Sequence, residues 1–390
     1  MPLYCWPPAA VDGEHAVSTA DIVREFRTTH PDVPFADRID GIAASTQIAT
    51  RRWFLPLSAV TEPGHHGLDL VAADDARRAL TGAGLDQVTA DSVLAALRTM
   101  PSRQTIAERT APAWAAVCDY ATRATLLSLD QAGLSPTDVD VLITSNSTTP
   151  ALPGLDVELL HRTGMRPDVI TYPFTGWACG ASTRALALAA QIVDADPNLI
   201  VQITVSEALS TTYQVADGSL DALIGRMLFC DSAGAITVTG RPRDGVWLRL
   251  DAAYHATLPG TAGHHRLETR ADGVHFLMDR EGPRAVQASL PLVWQWLTGR
   301  HGPGWSPDIL FAHPGSTRIL EYMAQTLPSG WTPDLLAPTW EAYATGNRGG
   351  VSVLDLMART CRTTPKSGAR VAVYAASPGL HITAHDGETL

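Results

Sequence analysis

The stretch FTGWACGAST, residues 174–183, decides how the rest of this sequence is interpreted. An apolar, extended run, 168–173, precedes it, and residues 184–193, rich in Ala and Leu, predict a buried helix after it. Cys179 is therefore expected at the start of a helix, where unpaired backbone N–H groups point toward it. That position favours a thiolate through the helix dipole and can also hold a developing negative charge. A simple packing role is the alternative for a Cys among small apolar residues.

The order of elements around Cys179 recurs in the second half of the chain, offset by about 170 residues. A Ser-Pro turn leads into an apolar strand at 135–145 and again at 306–311. Buried strands are predicted at 199–205 and 370–375. The offset is the same whichever pair of elements is compared, and it predicts an internal duplication of a βαβαβ unit.

The duplication gives three distant residues a reason to converge. Cys179 and Asn347 occupy equivalent places, each before a central helix of its half, and the second of these helices is predicted at 351–362. His313 follows the strand at 306–311. Because the two central helices begin close together in such an architecture, we expect Cys179, His313 and Asn347 to share one site.

Composition narrows the class of protein. The chain has 390 residues, is 45% apolar and 18% charged, and carries a net charge of −11 without a basic run, so nucleic acid is not an expected partner. The five Cys residues are odd in number and include no CxxC pair, which argues against a zinc site and a disulfide framework. The first eight residues lack the pattern of a signal peptide, and no apolar run reaches membrane-spanning length. We expect a cytoplasmic protein without metal or membrane partner.

Several motifs carry a resemblance to one family. The block from Cys179 to Glu207 resembles, without a gap, the nucleophile–helix–strand block of the type III polyketide synthases, the chalcone synthase-like group of the thiolase superfamily, and above all of their bacterial branch. The run AHPGSTRIL, residues 312–320, resembles their His-Pro-Gly-Gly-Pro-x-Ile-Leu motif, and Gly346-Asn347 resembles their Gly-Asn motif. The sequence departs from the family pattern at Ala178, where Gly is usual.

The resemblance implies a fold and an activity. The fold would be α/β, a thiolase-like duplicated βαβαβ with five layers, αβαβα, divided into an N-terminal half, 1–240, and a C-terminal half, 241–390. The activity would be loading of an acyl-CoA starter on Cys179 and its extension by decarboxylative condensation with malonyl-CoA, followed by cyclisation. His313 is expected to form an ion pair with the thiolate and, with Asn347, to bind the enolate oxygen. No cofactor is implied, because the coenzyme A thioesters are substrates.

The resemblance also assigns residues around the triad. Phe229 and Phe276 match the two gatekeeper phenylalanines, although ordinary core packing is the alternative for each. Arg51 and Arg52 are the candidates for the coenzyme A phosphates, or else a solvated pair. The expected cavity-lining residues, for which strand-end or turn roles remain open, are Ser147, Thr148, Leu152, Ser210, Thr212 and Leu267. His264 and His265 are expected in a surface loop instead.

Two other classes of function remain open on the sequence. A ketoacyl-acyl carrier protein synthase III-like enzyme or acyltransferase would use the same triad, but its His motif usually continues Gln-Ala-Asn, whereas here Pro314-Gly315 follows His313. A non-catalytic acyl-CoA-binding scaffold would explain the departures around Cys179. Cysteine hydrolase chemistry is a weaker candidate. A homodimer is expected, because the loop at Leu152-Pro153-Gly154 resembles the segment that crosses the family's dimer interface.

Overall fold

A computed structural model describes residues 1–61, 73–99, 106–270 and 273–390. The strands are β1 (Leu3–Cys5), β2 (Ala9–Asp12), β3 (His15–Ser18), β4 (Thr50–Trp53), β5 (Val141–Ser145), β6 (Ile170–Phe174), β7 (Val201–Glu207), β8 (Ser232–Thr239), β9 (Leu248–Thr257), β10 (His265–Arg270), β11 (Gly273–Met278), β12 (Ile309–Ala312), β13 (Arg370–Ser377) and β14 (His381–Thr389). The helices are α1 (Thr19–Thr29), α2 (Ile39–Ser45), α3 (Leu57–Thr61), α4 (Ala73–Gly82), α5 (Gln87–Thr99), α6 (Ile106–Gln131), α7 (Leu155–Thr163), α8 (Ala181–Ala195), α9 (Leu220–Leu228), α10 (Gly282–His301), α11 (Thr317–Thr326), α12 (Ala337–Tyr343) and α13 (Ser352–Cys361).

The strands of both halves join in one mixed sheet. Its path is β12-β13-β14-β9-β1-β8-β7-β5-β6, and β2 pairs with β8. In each half a parallel pair is followed by an antiparallel neighbour: β5 and β7 then β8, and β12 and β13 then β14. This repeat confirms the duplicated βαβαβ unit. The division of the chain at residue 240 into two domains stays a prediction.

The two central helices form the middle layer. Helices α8 and α13 contact each other, and both contact strands of the two halves of the sheet. Helix α6 covers β7 and β8 on one outer side, and α10 packs against β14 on the other. The elements therefore stack in the expected order αβαβα.

Local sequence explains this burial. The strands β5 and β7 read VLITS and VQITVSE, and all of their residues are buried, as expected for parallel strands covered on both faces. The buried residues of α8 include Ala185, Leu186 and Ala189, and they share a core cluster with Leu354 and Met357 of α13. Small side chains on α8 allow the two helices to approach closely.

Two hairpins stand outside the main sheet. In the first, β3 pairs with β4, with Ser18 opposite Thr50 and His15 opposite Trp53. In the second, β10 pairs with β11, with His265 opposite Met278 and Leu267 opposite Phe276. The second hairpin contacts α9, and the first lies against the chain that follows α9, where Trp53 Nε1 donates to the Phe229 carbonyl at 3.0 Å.

Candidate active site

One cavity contains the three residues that the duplication brings together. Its volume is about 370 Å³, and Cys179, His313 and Asn347 all line it. Cys179 comes from the turn before α8, His313 from the end of β12, and Asn347 from the turn before α13. The predicted convergence is therefore confirmed at the level of the fold, while the catalytic role of each residue stays a prediction.

The turn that carries Cys179 has an unusual backbone. Residues 178–180 form a single 3₁₀ turn, and Ala178 has a φ of 41°, in the left-handed region that favours glycine. The Ala178 N–H donates a hydrogen bond to Ser147 Oγ at 3.0 Å. Glycine would adopt this backbone conformation without the strain that an alanine incurs.

The starts of α8 and α13 touch directly. Ser182 Oγ donates a hydrogen bond to the Gly350 carbonyl oxygen. A Cβ atom on Gly350 would lie 2.6 Å from the Ala178 carbonyl oxygen and 2.8 Å from Ala181 Cβ, so no larger residue fits without displacing the turn of Cys179. This close approach brings Cys179 and Asn347 to the same cavity.

His313 is fixed by its backbone and keeps its ring free. Its N–H donates to the Tyr374 carbonyl at 2.9 Å, and its own carbonyl accepts from the Gly315 N–H at 3.0 Å. The residue is 5% exposed, and Nδ1 has no hydrogen-bond partner within the described ranges. The imidazole can therefore exchange a proton or a hydrogen bond with a bound substrate.

Asn347 is held on both sides of its amide. Nδ2 donates to the Gly315 carbonyl at 3.0 Å, and Oδ1 accepts from the Gly349 N–H at 2.8 Å. These contacts fix which amide atom is the donor. Since Nδ2 carries two hydrogens and one is used by Gly315, one remains available to a ligand.

The expected thiolate–imidazolium pair stays a prediction, and the burial of both groups opposes it. Burial raises the pKa of the Cys179 thiol to about 12, and the nearby Glu207 carboxylate acts in the same direction. Burial also lowers the pKa of His313 to about 4. Desolvation thus favours a thiol and a neutral imidazole, whereas the helix start favours the thiolate.

Glu207, at the end of β7, is a group that sequence reasoning did not single out. It is 1% exposed, its Oε2 accepts a hydrogen bond from the Ser147 N–H at 3.0 Å, and burial raises its pKa to about 7. A carboxyl group that titrates near neutral pH beside Cys179 can change the reactivity of the thiol. The feature that could have identified Glu207 from the sequence is its position at the end of a strand next to the nucleophile.

Phe229 and Phe276 meet at the cavity wall. Their ring centroids are 5.0 Å apart and the ring planes lie at 81°, so the edge of one ring faces the other. Both line the cavity that Cys179 lines. This geometry is compatible with the predicted gatekeeper pair, whose function stays a prediction.

The assignment of Arg51 and Arg52 to the coenzyme A phosphates needs correction. Residues alternate across β4, so Arg51 is buried, 1% exposed, with Nη2 bonded to Thr19 Oγ1 and the Ile48 carbonyl. Arg52 lies on the opposite face and donates to the Glu14 carbonyl at 2.9 Å. Neither guanidinium lines the cavity. Neighbouring residues of a strand point to opposite faces, and neither of these two side chains reaches the cavity.

The four polar residues expected to line the cavity bind the protein itself instead. Ser147 Oγ accepts from Ala178, and Thr148 Oγ1 accepts from the Ala208 N–H at 2.9 Å. Ser210 Oγ donates to Asp231 at 2.6 Å, and Thr212 Oγ1 donates to the Leu209 carbonyl at 2.7 Å. None is among the residues that line the cavity of Cys179. Their hydroxyls support the turns around the site, which is the alternative that the sequence left open.

The two leucines expected in the cavity wall are also outside it. Leu152 is 98% exposed in the loop before α7 and borders a separate groove. Leu267 is 38% exposed on β10 and lines no part of the cavity. Its neighbour two residues earlier, His265, lines the cavity instead, so the expectation of a surface loop is wrong for His265.

Two arginines that sequence reasoning missed do line the cavity. Arg280 follows β11, and Arg318 lies in the first turn of α11. Within the described ranges neither forms an ion pair with a carboxylate. Arg318 belongs to the run that follows His313, so its place in that motif was the signal that could have identified it.

Comparisons with known proteins agree with this geometry. The family model of the FAE1/type III polyketide synthase-like proteins matches residues 65–253. The germicidin synthase of Streptomyces coelicolor, a type III polyketide synthase of known structure, is 53% identical over 100% of both chains, with a TM-score of 0.95.

Two curated relatives are 1,3,6,8-tetrahydroxynaphthalene synthases. That of Streptomyces peucetius subsp. caesius is 31% identical over 65% of this chain and 68% of its own length. That of Streptomyces coelicolor is 27% identical over 84% of this chain and 76% of its own length. The fold and these relatives thus define a condensing enzyme that joins acyl groups.

The chain belongs to the type III polyketide synthase family. It is therefore an acyltransferase that catalyses decarboxylative condensation. This membership favours the polyketide synthase over both the carrier-protein synthase class and the non-catalytic scaffold. Among the described helices, none is long and apolar enough to cross a membrane.

Proposed function

We propose that Cys179 accepts an acyl group from an acyl-CoA starter and that malonyl-CoA extends it by decarboxylative condensation, with release as a cyclised pyrone or aromatic product. The observation that carries this proposal is the shared cavity of Cys179, His313 and Asn347. The names of the relatives, which make germicidin and tetrahydroxynaphthalene, support products of this type.

Loading begins from neutral partners. Because burial raises the pKa of Cys179 and lowers that of His313, this proposal starts from the neutral groups, and His313 acts as a general base during attack on the thioester. The Sγ–C bond forms as the bond to the coenzyme A sulfur breaks. The proton passes from Sγ to His313 and from there to the departing sulfur, so no ion pair has to exist before the substrate binds.

Extension requires stabilisation of an enolate. Loss of carbon dioxide from the malonyl group leaves negative charge on the thioester oxygen. The free N–H of Asn347 Nδ2 and an N–H of the His313 ring are the donors for that oxygen. The enolate carbon then attacks the carbonyl carbon of the Cys179 thioester, the bond to Sγ breaks and Cys179 leaves as a thiolate, so that the extended chain is a coenzyme A thioester that can be loaded on Cys179 again. Phe229 and Phe276 exclude water from the reacting groups.

Arg280 and Arg318 replace Arg51 and Arg52 as the residues for the coenzyme A phosphates. Both line the cavity, and in the described part of the chain neither has a carboxylate partner. A guanidinium group suits contact with phosphate oxygens. Coenzyme A thioesters are then substrates, and the account requires no cofactor.

A homodimer is the assembly that the surface favours. Strand β6 lies at the end of the sheet, and its Ile170 and Tyr172 are 56% and 37% exposed. An apolar edge strand beside the exposed Leu152 is a surface that a second copy can cover. Sedimentation should show a dimer for the wild type and a monomer for Ile170→Glu. Val88→Glu, at another exposed apolar residue, should remain dimeric, and a monomeric wild type would refute the assembly.

The proposal is tested by turnover. The purified protein is incubated with malonyl-CoA and a panel of short, aromatic and long acyl-CoA starters, and the products are followed by mass spectrometry. We expect pyrone or aromatic products with at least one starter and none with Cys179→Ala. Acylation of Cys179 without condensation from any starter would contradict the polyketide synthase activity.

A further inference from the structure

His265 lies at the cavity wall beside Phe276. It opens β10 opposite Met278, and residues that face each other in an antiparallel pair share one face of the hairpin. His265, Phe276 and Met278 all line the cavity. The imidazole stacks on the Phe276 ring, with centroids 6.3 Å apart and planes at 23°.

The start of α10 leaves room for this ring. A Cβ atom on Gly282 would lie 2.3 Å from His265 Cε1 and 2.8 Å from Nε2. Only glycine therefore allows the imidazole to lie against the helix start. With Phe276 on one side and Gly282 close to its edge, the ring is held in a fixed place.

The ring nitrogens have no hydrogen-bond partner in the ranges that the structure describes. Burial lowers the pKa of His265, while Asp279 acts in the opposite direction and His264 reinforces the effect of burial. Asp279 is itself bonded to His264 at 2.6 Å. The lowered pKa favours the neutral imidazole, which has one N–H donor and one acceptor for a ligand in the cavity.

The residues of β11 follow one another along the cavity wall. Phe276 contacts Phe229 near Asn347, Met278 follows two residues later beside His265, and Arg280 comes two residues after that. The step from Phe276 to Met278 advances about 6.6 Å along the strand, and Arg280 lies in the turn that follows β11. His265 thus lies between the condensing residues and the proposed phosphate-binding arginines. In a coenzyme A thioester, the segment between the thioester and the phosphates is the pantetheine arm with its two amides.

We propose that the His265 imidazole donates a hydrogen bond to an amide carbonyl of the pantetheine arm and so positions the thioester beside Phe276. This inference rests on the proposed function, since it assumes that the cavity binds coenzyme A thioesters. It assigns to His265 a positioning role that is separate from the chemistry of Cys179, His313 and Asn347.

The test measures binding without turnover. Dissociation constants are determined by calorimetry for free coenzyme A and for adenosine 3′,5′-bisphosphate, which has phosphates but no pantetheine arm. His265→Leu should bind coenzyme A about fivefold to tenfold more weakly than the wild type, the effect of one lost hydrogen bond. Its affinity for the bisphosphate should be unchanged.

Two further variants keep the result interpretable. His265→Asn retains an N–H donor and should recover most of the affinity for coenzyme A, whereas Thr269→Ala, exposed on the same strand, should match the wild type. Wild-type affinity for coenzyme A in His265→Leu would overturn the inference, and so would equal weakening of both ligands. If the wild type bound no coenzyme A, the proposed function would fall and this inference with it.

Discussion

Phe229 and Asn347 lie side by side in an isolated parallel β-bridge. The Asn347 N–H donates to the Leu228 carbonyl, and the Cys230 N–H donates to the Asn347 carbonyl, both at 2.9 Å. A backbone connection of this kind fixes the distance between a cavity-wall aromatic ring and the amide that the account assigns to the enolate. The proposed gatekeeper and the proposed oxyanion donor are therefore positioned as one unit.

Asn347 should be needed for extension and not for loading. We expect Asn347→Ala to reduce malonyl-CoA decarboxylation about 10²- to 10³-fold, the usual effect of losing one oxyanion donor. Asn347→Asp should be slower still, because a carboxylate repels the enolate. Decarboxylation is measured as the release of carbon dioxide. Acylation of Cys179 by a starter serves as the control. A decarboxylation rate near that of the wild type in Asn347→Asp would contradict the role.

Two different phenotypes are expected if Arg280 and Arg318, and not Arg51 and Arg52, bind the coenzyme A phosphates. Arg280→Gln and Arg318→Gln should each raise KM for coenzyme A thioesters about tenfold or more, because a charged hydrogen bond is lost. Thioesters of N-acetylcysteamine, which lack phosphates, should be unaffected. Arg51→Gln should instead lower thermal stability, since it removes the buried contacts to Thr19 and Ile48. A raised KM in Arg51→Gln at unchanged stability would restore the sequence-based assignment.

The backbone at Ala178 predicts a stabilising substitution. An L-residue in the left-handed region costs roughly 1–2 kcal/mol, so Ala178→Gly should raise the free energy of unfolding by about 1 kcal/mol after the greater chain entropy of glycine is deducted. Ala181→Gly, the same change in the first turn of α8, should lower it by about 1 kcal/mol. Denaturant titration measures both values. Destabilisation by Ala178→Gly would show that the turn is not strained.

Glu207 gives the site a predicted pH dependence. Its pKa is about 7 in the folded protein and 4.5 as a model value, so the folded protein binds more protons between these pH values. The contribution of Glu207 to stability therefore falls as the pH rises from about 4.5 to about 7, by up to about 3 kcal/mol.

Glu207→Gln removes this titration and its charge. Compared with the wild type, the variant should lose less stability over that pH range, and its Cys179 should react faster with iodoacetamide at pH 8. The second effect follows because the Glu207 carboxylate raises the pKa of the thiol. Identical alkylation rates in both proteins would show that Glu207 does not act on Cys179.

The fold and the triad could be predicted because they depend on patterns along the chain. The repeated order of strand and helix identified the duplication, and equivalent helix starts then brought Cys179 and Asn347 together. The sequence could not give the protonation of Cys179 and His313. Their pKa values depend on desolvation, which only the packing of both halves determines.

The cavity wall was harder to predict, because it depends on side-chain direction. Arg51 and Arg52 are neighbours on one strand and point to opposite faces, and only the placement of β4 shows that neither reaches the cavity. His265 and Leu267 share a face of β10, but only His265 reaches the cavity. Register and hairpin placement are tertiary properties that local composition does not encode.

The central claim is that Cys179 carries the growing chain, and peptide mass spectrometry of the acylated enzyme tests it most directly. The wild type is exposed briefly to an acyl-CoA starter and malonyl-CoA, digested and compared with Cys179→Ala. The account predicts that the peptide containing Cys179 carries the starter and its extended forms, and that the variant carries none and makes no product. Acylation of another residue, or product formation by Cys179→Ala, would contradict it.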